Sequence, residues 1–541
     1  MGLLGTLDWV IIAAYFVAVF GVALWSARQE KTRTTAAGYF LAGRNVGWFV
    51  IGASMFASNI GSEHLVGLAG TGAASGVAVG QFEVQASLMI LTLGWVFVPF
   101  YIKSGVYTMP EFMERRYSPA ARWYLAVICI IGYILTKISV TIAAGGIVFE
   151  ALMGIDFWTG ALIVVIATGV YTVFGGLRAV LYTDMFQMFV LVGGSVVVTV
   201  MGLRELGGWG QMCEIAGPSM MSMWQPMKHP DFPWTGILFG APILGIWYWC
   251  TDQFIVQRVL SAPNIEQARR GTIFAGFLKQ LPLFIFVIPG VIAYCLTQQG
   301  RMTLGKPDEA LPVMIGTLLP MGVRGLVVGG LLAALMSSLS SVFNSCSTLV
   351  TWDIYKKLHP TASDQRLVWV GQISTAVLVV LGLLWIPVMK HISGQIYQYL
   401  QSVQAYISPP ITAVFLVGVF WKRVNAHGAI VALITGFVLG MGRLAAELMK
   451  GSLGDGALFY YANMNFLHFS LALFMVCVAV LIVVSLMTPP QTADKLRGLT
   501  FQTVEGQVAD KLRAGRLQQR MNIGLSLILL GIVGLVWWYF S

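Results

Sequence analysis

Long apolar runs recur along almost the whole chain and limit its fold more than any other feature. Each run holds about 20 residues or more, enough to cross a hydrocarbon core of roughly 30 Å as a helix, whereas barrel strands are shorter and alternate. Of the residues, 57% are hydrophobic and 10% are charged, against about 25% charged in soluble domains. The sequence predicts an all-α polytopic membrane protein with about 14 transmembrane helices. The predicted spans lie near residues 7–27, 46–74, 79–102, 122–153, 157–174, 178–203, 235–257, 271–297, 309–352, 367–389, 395–421, 427–449, 464–488 and 521–540.

The positive charge of the chain is concentrated in alternate loops. Most of the 33 Lys and Arg residues fall in loops such as "SARQEKTRTTAAGYFLAGRN", "WKRVN" and the 489–520 segment. The positive-inside rule places these loops in the cytoplasm, and both termini then face outward. The N-terminus lacks a basic n-region and a cleavage site, so the first helix is expected to be retained. The lipid bilayer, and no nucleic acid, is the partner that this charge pattern indicates.

The six cysteines are scattered and mostly lie inside apolar runs, with no C-x-x-C spacing. This pattern favours core packing over disulfides or metal ligands.

Two of the predicted spans are interrupted. The second span breaks at "ASNIGSEH" and the seventh at "GIWYWCTDQ", five helices later. Two five-helix repeats of inverted topology, each beginning with a discontinuous helix, would produce this offset. The predicted division is 1–45 for an extra N-terminal helix and loop, 46–234 with a break near 57–64 for the first repeat, 235–426 with a break near 245–253 for the second, and 427–541 for extra C-terminal helices.

Ionisable residues inside spans are costly, and they generally pair with each other or face a cavity. Nine such residues have two alternative roles, in an ion pair or in a contact with the solute. They are Glu63, His64, Glu83, Lys137, Asp184, Asp252, Lys279, Arg324 and Arg443. Unpaired backbone groups survive in a membrane only where they line a cavity or bind something, which points to a binding site at the first break.

A serine-rich run, "LMSSLSSVFNSCST", supplies hydroxyl groups along one helix. Ala334 and Ser338 stack at i and i+4, with Ser337 beside them. Together with carbonyl groups freed at Ala57 and Ile60, these oxygens suit a small cation, while simple helix packing is the alternative. Asp184, together with Ser337, Ser340 and Ser341, forms a second candidate cation site.

Several stretches closely resemble the sodium/glucose cotransporters of the sodium:solute symporter family, from about residue 8 to about 490. They are "FASNIGSEHLVGLAGTGAASG", "GWVFVPFYIKSGVYTMPEF", "WYWCTDQFIVQR", "LMSSLSSVFNSCSTLVTWDIYKK" and "PPITAVFLVGVFWKRVN". The resemblance implies the leucine-transporter (LeuT) fold, a core of two five-helix inverted repeats with extra flanking helices.

The resemblance also implies roles for individual residues. The sodium site would be formed by Ala57, Ile60, Ala334, Ser337 and Ser338, and the second sodium site of some members by Asp184, Ser337, Ser340 and Ser341. The sugar site would be formed by Asn59, His64, Glu83, Tyr248, Trp249, Lys279 and Gln401. Leu68, Phe82 and Tyr397 match the outer gate, although ordinary core packing explains them nearly as well.

Three residues depart from the family pattern. Gly245 stands where sugar-transporting members have a hydroxyl or amide side chain, Gln404 replaces a Thr, and Glu63 replaces a Gly. The 204–234 loop holds one cysteine, so the outer disulfides of animal members are not expected, which points to a bacterial inner membrane.

The sequence therefore predicts a sodium-coupled symporter that imports a sugar, such as glucose or galactose, by alternating access. Sodium is the coupling ion, with two ions per sugar if Asp184 binds one, and neither a cofactor nor enzyme activity is expected. One alternative is symport of another solute, such as inositol, sialic acid, an amino acid or a carboxylate. A sodium-dependent sensor without transport is the second alternative.

Overall fold

The protein is helical throughout the part that the computed structural model describes, residues 4–29, 35–389, 396–454, 456–503 and 516–541. The one extended pairing in that part is an isolated bridge between Gln225 and Pro233. An all-α fold is the expected solution, because a helix satisfies its own backbone hydrogen bonds within lipid.

Fourteen helices form the body of the described structure, and each corresponds to one predicted span. They are α1 (Thr6–Gln29), α2 (Trp48–Asn59 and Ser62–Ser75), α3 (81–104), α4 (Pro119–Met153), α5 (157–175), α6 (Gly176–Leu206), α7 (Gly236–Thr251 and Gln253–Leu260), α8 (Ile265–Gln298), α9 (Val323–Leu358), α10 (Asp364–Met389), α11 (Ile396–Phe420), α12 (Ala426–Leu448), α13 (Phe466–Met487) and α14 (Arg516–Tyr539).

Length and composition alone identify fewer crossings in the described residues. Eleven helical stretches are long and apolar enough to cross a membrane, and Phe157–Val170 and Gly236–Thr251 are shorter apolar helices. One of the eleven stretches, Ser62–Ser104, contains both the second half of α2 and all of α3. The two are separated at Gly76, whose left-handed φ of 68° ends the helix. Counting α2 and α3 separately and adding the two shorter helices gives fourteen apolar helices, the number of spans predicted from the sequence.

Left-handed glycines also set two helix boundaries: one lies between the predicted spans 157–174 and 178–203, and the other lies inside the predicted span 309–352, where the apolar pattern does not show it. The run predicted as one span over 309–352 is a short helix, Ala310–Leu318, followed by α9, and Gly322 with φ 87° lies between them. Helices α5 and α6 meet at Gly176, where φ is 60°. The 204–234 loop contains a further helix, Trp209–Met221, that the sequence analysis did not predict. The apolar pattern does not show the turn at Gly322, because a single residue makes it within a continuous apolar run.

The two broken helices lie inside the bundle. The first half of α2 packs against α6 and α8, and α9 packs along both α2 and α6. Helix α1 covers the outside of α6 and α9, while α12 and α13 pack on α11, and α14 packs on α3 and α8. The flanking helices therefore lie outside the α2–α11 core, as the sequence predicts. The exact division at 45, 234 and 426 remains a prediction.

The basic 489–520 segment is described in part. Its first portion packs on the helix Met109–Arg116, and Gln491 and Lys495 donate hydrogen bonds to the Tyr117 carbonyl group. Much of the rest of this basic segment falls in 504–515, outside the described residues.

Small residues bring the second half of α2 unusually close to α8. A Cβ atom added to Gly290 would lie 2.0 Å from the Ala69 carbonyl oxygen, which is far inside van der Waals contact. Close backbone approach through glycine is typical of helix pairs in membranes, where packing rather than the hydrophobic effect drives association.

This contact predicts that Gly290→Ala will destabilise the protein, because the added methyl group forces α8 away from a backbone carbonyl group that cannot rotate aside. Overpacking of this kind costs about 1–3 kcal/mol. The measurement is the thermal inactivation midpoint of the detergent-solubilised protein. Gly193→Ala is the matched control, since nothing lies within 4 Å of its added Cβ atom. An equal midpoint for both variants would contradict the packing argument.

Candidate functional site

The break in α2 frees two backbone carbonyl groups. In a continuous helix the Gly61 amide would donate to the Ala57 carbonyl oxygen, but here it donates to Asn59 at 3.2 Å. The His64 amide likewise donates to Gly61 at 3.0 Å instead of to Ile60. The carbonyl oxygens of Ala57 and Ile60 therefore lose their helical partners at the centre of the bundle.

The break in α7 lies at Asp252, whose backbone is extended at φ −77° and ψ 129°. Its carboxylate accepts a hydrogen bond from the Phe254 amide at 3.2 Å and caps the second half-helix. The Tyr133 hydroxyl group of α4 donates to the same carboxylate. Both interruptions expected from the sequence are thus present, and Asp252 has a capping role at the second one.

The serine-rich face of α9 lies against the break in α2. The Ser338 hydroxyl group donates to the Ser58 carbonyl oxygen at 3.1 Å, across the two helices. The five residues of the first expected sodium site are all buried: Ala57, Ile60, Ala334, Ser337 and Ser338. The structure therefore brings hydroxyl and freed carbonyl oxygens, the hard ligands that small cations prefer, to the same buried region.

Asp184 of α6 lies beside this region and is fully buried. Its carboxylate accepts hydrogen bonds from Ser337 and Ser54, each at 2.6 Å, and from Ser341 at 3.4 Å. Ser340 instead donates to the Ser337 carbonyl oxygen at 3.0 Å. Two of the three serines expected around Asp184 therefore contact it in this structure, and the third does not.

Arg258 contacts the same carboxylate, although it is not among the candidate residues predicted from the sequence. The Arg258 guanidinium group lies 3.4 Å from the Asp184 carboxylate and donates to the hydroxyl groups of Ser54 and Ser341. Arg258 lies one residue beyond the predicted span 235–257, so it is not among the ionisable residues selected inside spans. The buried carboxylate is thus already paired with a positive charge that belongs to the protein.

All seven residues of the expected sugar site line one cavity between α2, α3, α7, α8 and α11. The lining also contains Lys137 and the two departures from the family pattern, Gly245 and Gln404. The full lining is Asn59, His64, Phe82, Glu83, Gln85, Ala86, Met89, Lys137, Ala241, Leu244, Gly245, Tyr248, Trp249, Lys279, Tyr397, Leu400, Gln401 and Gln404.

A polar chain crosses this cavity. The Lys279 ammonium group pairs with the Glu83 carboxylate and donates to the Asn59 amide oxygen at 2.5 Å. The Asn59 amide nitrogen donates to the Tyr248 hydroxyl group at 3.0 Å, and the Trp249 ring lies 5.4 Å from the Lys279 nitrogen. The cavity therefore offers hydrogen-bond donors and acceptors beside aromatic faces, which suits a solute with both hydroxyl groups and an apolar ring face.

Aromatic rings cover one side of the cavity, next to the 204–234 loop. The Tyr397 ring meets His64 at 5.7 Å and Phe82 at 6.1 Å between centroids, both edge to face. Phe82 also contacts Phe232 of the 204–234 loop and Phe466, the first residue of α13. Leu68 is fully buried but does not line the cavity. The contacts of Phe82 and Tyr397 fit the expected gate, and the role remains a prediction for all three residues.

A network of ion pairs joins the N-terminal end of α4 to the C-terminal end of α9. Arg122 pairs with Asp353 at 2.7 Å and with Glu114 at 2.6 Å, and Lys357 also pairs with Glu114 at 2.8 Å. Partial burial raises the pKa of the Glu114 carboxyl group, but hydrogen bonds from Lys357 and Arg122 outweigh it and hold the pKa below its usual value. Glu114 is therefore ionised at neutral pH, and the network links these two helix ends.

The remaining intramembrane charges lie outside the cavity. The Glu63 carboxylate turns towards Lys137 and Thr141 of α4, at 3.4 and 2.9 Å. Arg443 donates to the Met464 carbonyl oxygen and lies among aromatic rings between α11, α12 and α13, and Arg324 donates to the Leu319 carbonyl oxygen. Arg443 and Arg324 thus have structural partners far from the cavity. All six cysteines lie in the described residues and are unpaired, as expected.

Comparison with known proteins agrees with this arrangement. The sequence profile of the sodium:solute symporter family matches residues 39–436. Sodium/glucose cotransporter 1 of Oryctolagus cuniculus is 40% identical over 529 residues, covering 89% of this chain and 78% of that protein. The sodium/myo-inositol cotransporter of Canis lupus familiaris is 38% identical over 543 residues, covering 92% and 76%.

A solved structure of a Na+-coupled sialic acid symporter, in a substrate-bound outward-open state, has a TM-score of 0.77 to this chain. Its identity is 23%, and the match covers 90% of this chain and 99% of that one. At this identity the likeness establishes the fold, which is the leucine-transporter fold expected from the sequence. The protein is a multi-pass membrane protein and belongs to the sodium:solute symporter family, with sodium as the coupling ion.

Proposed function

We propose that this symporter imports a neutral polyhydroxylated solute, a hexose such as glucose or galactose, together with sodium. The observation that carries the proposal is the cavity itself, in which all seven expected sugar-binding residues meet. Such a site discriminates strongly, because a wrong solute would leave its buried polar groups unpaired.

The break in α2 is proposed to join the two binding events. The carbonyl groups of Ala57 and Ile60 bind sodium together with Ala334, Ser337 and Ser338, while Asn59 and His64 of the same segment bind the solute. Sodium bound at the break fixes the segment that carries Asn59. Alternating access then exposes both ligands to one side of the membrane at a time, with Phe82 and Tyr397 as the outer cover.

myo-Inositol is the second candidate solute, and a specific observation favours it. A sodium/myo-inositol cotransporter matches this chain almost as well as a sodium/glucose cotransporter, at 38% against 40% identity. A ring that carries only hydroxyl groups would use the same donors and acceptors. Measuring the uptake of glucose and of myo-inositol by the same preparation shows which solute is preferred. Sodium-dependent uptake of either solute excludes a sensor that does not transport.

The membrane and its orientation are part of the same proposal. Both termini are placed on the outer side, because the basic loops between α1 and α2 and between α13 and α14 are assigned to the cytoplasm. A bacterial inner membrane stays a prediction that rests on the unpaired Cys213 of the outer loop, and the relatives named above are mammalian. No enzyme activity is proposed for a chain whose relatives are transporters.

Removing one polar partner of the solute is expected to stop transport. Glu83→Gln breaks the pair with Lys279, and Gln401→Ala removes an amide group from the cavity wall. Each change should lower sugar-dependent sodium uptake into proteoliposomes at least about tenfold, which corresponds to 1.4 kcal/mol. Glu214→Gln is the matched control, because this residue is exposed on the outer helix. Normal uptake by both cavity variants would refute the site assignment.

Asp184 is proposed to bind a second sodium ion after Arg258 moves away from it. At 100 mV each sodium ion that enters releases roughly 2.3 kcal/mol, so a second ion squares the accumulation ratio that one ion supports. We expect two sodium ions per sugar in the wild-type protein and one in Asp184→Asn. The measurement is the ratio of sodium and sugar fluxes at clamped voltage. A wild-type ratio of one would contradict the second site.

A further inference from the structure

We propose that Glu63 sets the charge of the solute cavity and thereby excludes carboxylated solutes. The inference rests on the proposed function, because it assigns a charge class to the solute of the same cavity. It begins from a residue that does not touch the cavity: Glu63 is fully buried behind the wall, while Lys137 forms part of that wall.

The charged residues that line the cavity do not balance by themselves. They are Glu83, Lys137 and Lys279, and their formal charges sum to one positive charge when His64 is neutral. Glu83 and Lys279 neutralise each other by direct contact. Lys137 is left with an ammonium group in a buried site, where an unpaired charge is costly.

Glu63 supplies the missing negative charge. Its carboxylate lies 3.4 Å from the Lys137 ammonium nitrogen and accepts a hydrogen bond from the Thr141 hydroxyl group at 2.9 Å. His64 Nδ1 lies 3.6 Å away. Asp252, the neighbouring acid of α7, is instead bound by Tyr133 and by the Phe254 amide. With Glu63 included, the formal charges of the cavity lining and of this partner sum to zero.

The local backbone explains how a carboxylate can be placed there. Glu63 lies in the first turn of the second half of α2, where unpaired amide groups and the helix dipole favour negative charge. Gly61 leaves the necessary space, since a Cβ atom at that position would lie 2.0 Å from the Glu63 carboxylate. The break in α2 therefore frees the carbonyl groups of its first half and favours the Glu63 carboxylate at the start of its second half.

A neutral cavity selects a neutral solute, and removing Glu63 should change that selection. In Glu63→Gln the Lys137 charge is uncompensated and faces the solute, so a sugar that carries a carboxylate gains an ion pair. The ratio of uronate to hexose uptake should rise at least about tenfold. The attraction between two opposite charges at contact distance in a buried site is larger than the free energy that corresponds to a tenfold ratio.

The test measures sodium-dependent uptake into proteoliposomes of two matched pairs, glucose with glucuronate and galactose with galacturonate. Wild-type protein should favour the hexose of each pair, and Glu63→Gln should shift towards the uronate. The double variant Glu63→Gln/Lys137→Met restores neutrality and should lose the shift. Lys137→Met alone leaves the cavity with a net negative charge and should increase the uptake of glucosamine relative to glucose. This variant provides a second test if Glu63→Gln does not fold.

Each outcome is decisive. A folded Glu63→Gln protein without a gain in uronate uptake overturns the inference, and so does a wild-type protein that prefers uronates. A shift that persists in the double variant also overturns it, because the charge of Lys137 would then not be the cause. If wild-type protein imports no hexose, the proposed sugar assignment fails, while a gain of uronate uptake by Glu63→Gln still supports the role of Glu63.

Discussion

The backbone break at Ile60 and Gly61 is the interaction on which the rest of the site depends. Two backbone amide groups donate to other acceptors than they would in a continuous helix. The carbonyl oxygens of Ala57 and Ile60 are therefore left without helical partners. Such groups are costly inside a membrane unless something binds them. The hydroxyl-rich face of α9 lies against this break, while Asn59 and His64 of the same segment face the cavity. One short segment therefore contributes to both candidate binding sites.

Charge balance is the second constraint. The buried acids Glu63, Glu83 and Asp184 each have a basic partner on another helix, in Lys137, Lys279 and Arg258. Breaking such a buried pair by removing one partner costs about 3–5 kcal/mol, so these pairs fix which helices stay together. A ligand that enters must either preserve this balance or replace one member of a pair. The first case suits a neutral solute in the cavity, and the second suits sodium at Asp184.

The fold could be predicted in large part from the sequence. Each apolar run indicates one membrane-spanning helix, and each helix break is marked by polar residues within such a run. The cavity residues followed from the resemblance, and the structure brings all seven together. The contact of Arg258 with Asp184 and the contact of Glu63 with Lys137 could not be predicted. Each partner lies 74 residues away along the chain, and the sequence does not show which side of a broken helix a carboxylate takes. The helix Ala310–Leu318 was hidden in an apolar run that continues across Gly322.

The central claim is that one broken segment couples sodium binding to solute binding. Its most direct test is a pair of titrations on the purified protein, followed by tryptophan fluorescence: the imported sugar with and without sodium, and sodium with and without that sugar. Thermodynamic linkage requires the two affinities to change by the same factor. The account predicts tighter binding of each ligand in the presence of the other, by one common factor. Sugar binding that is unchanged by sodium would contradict it.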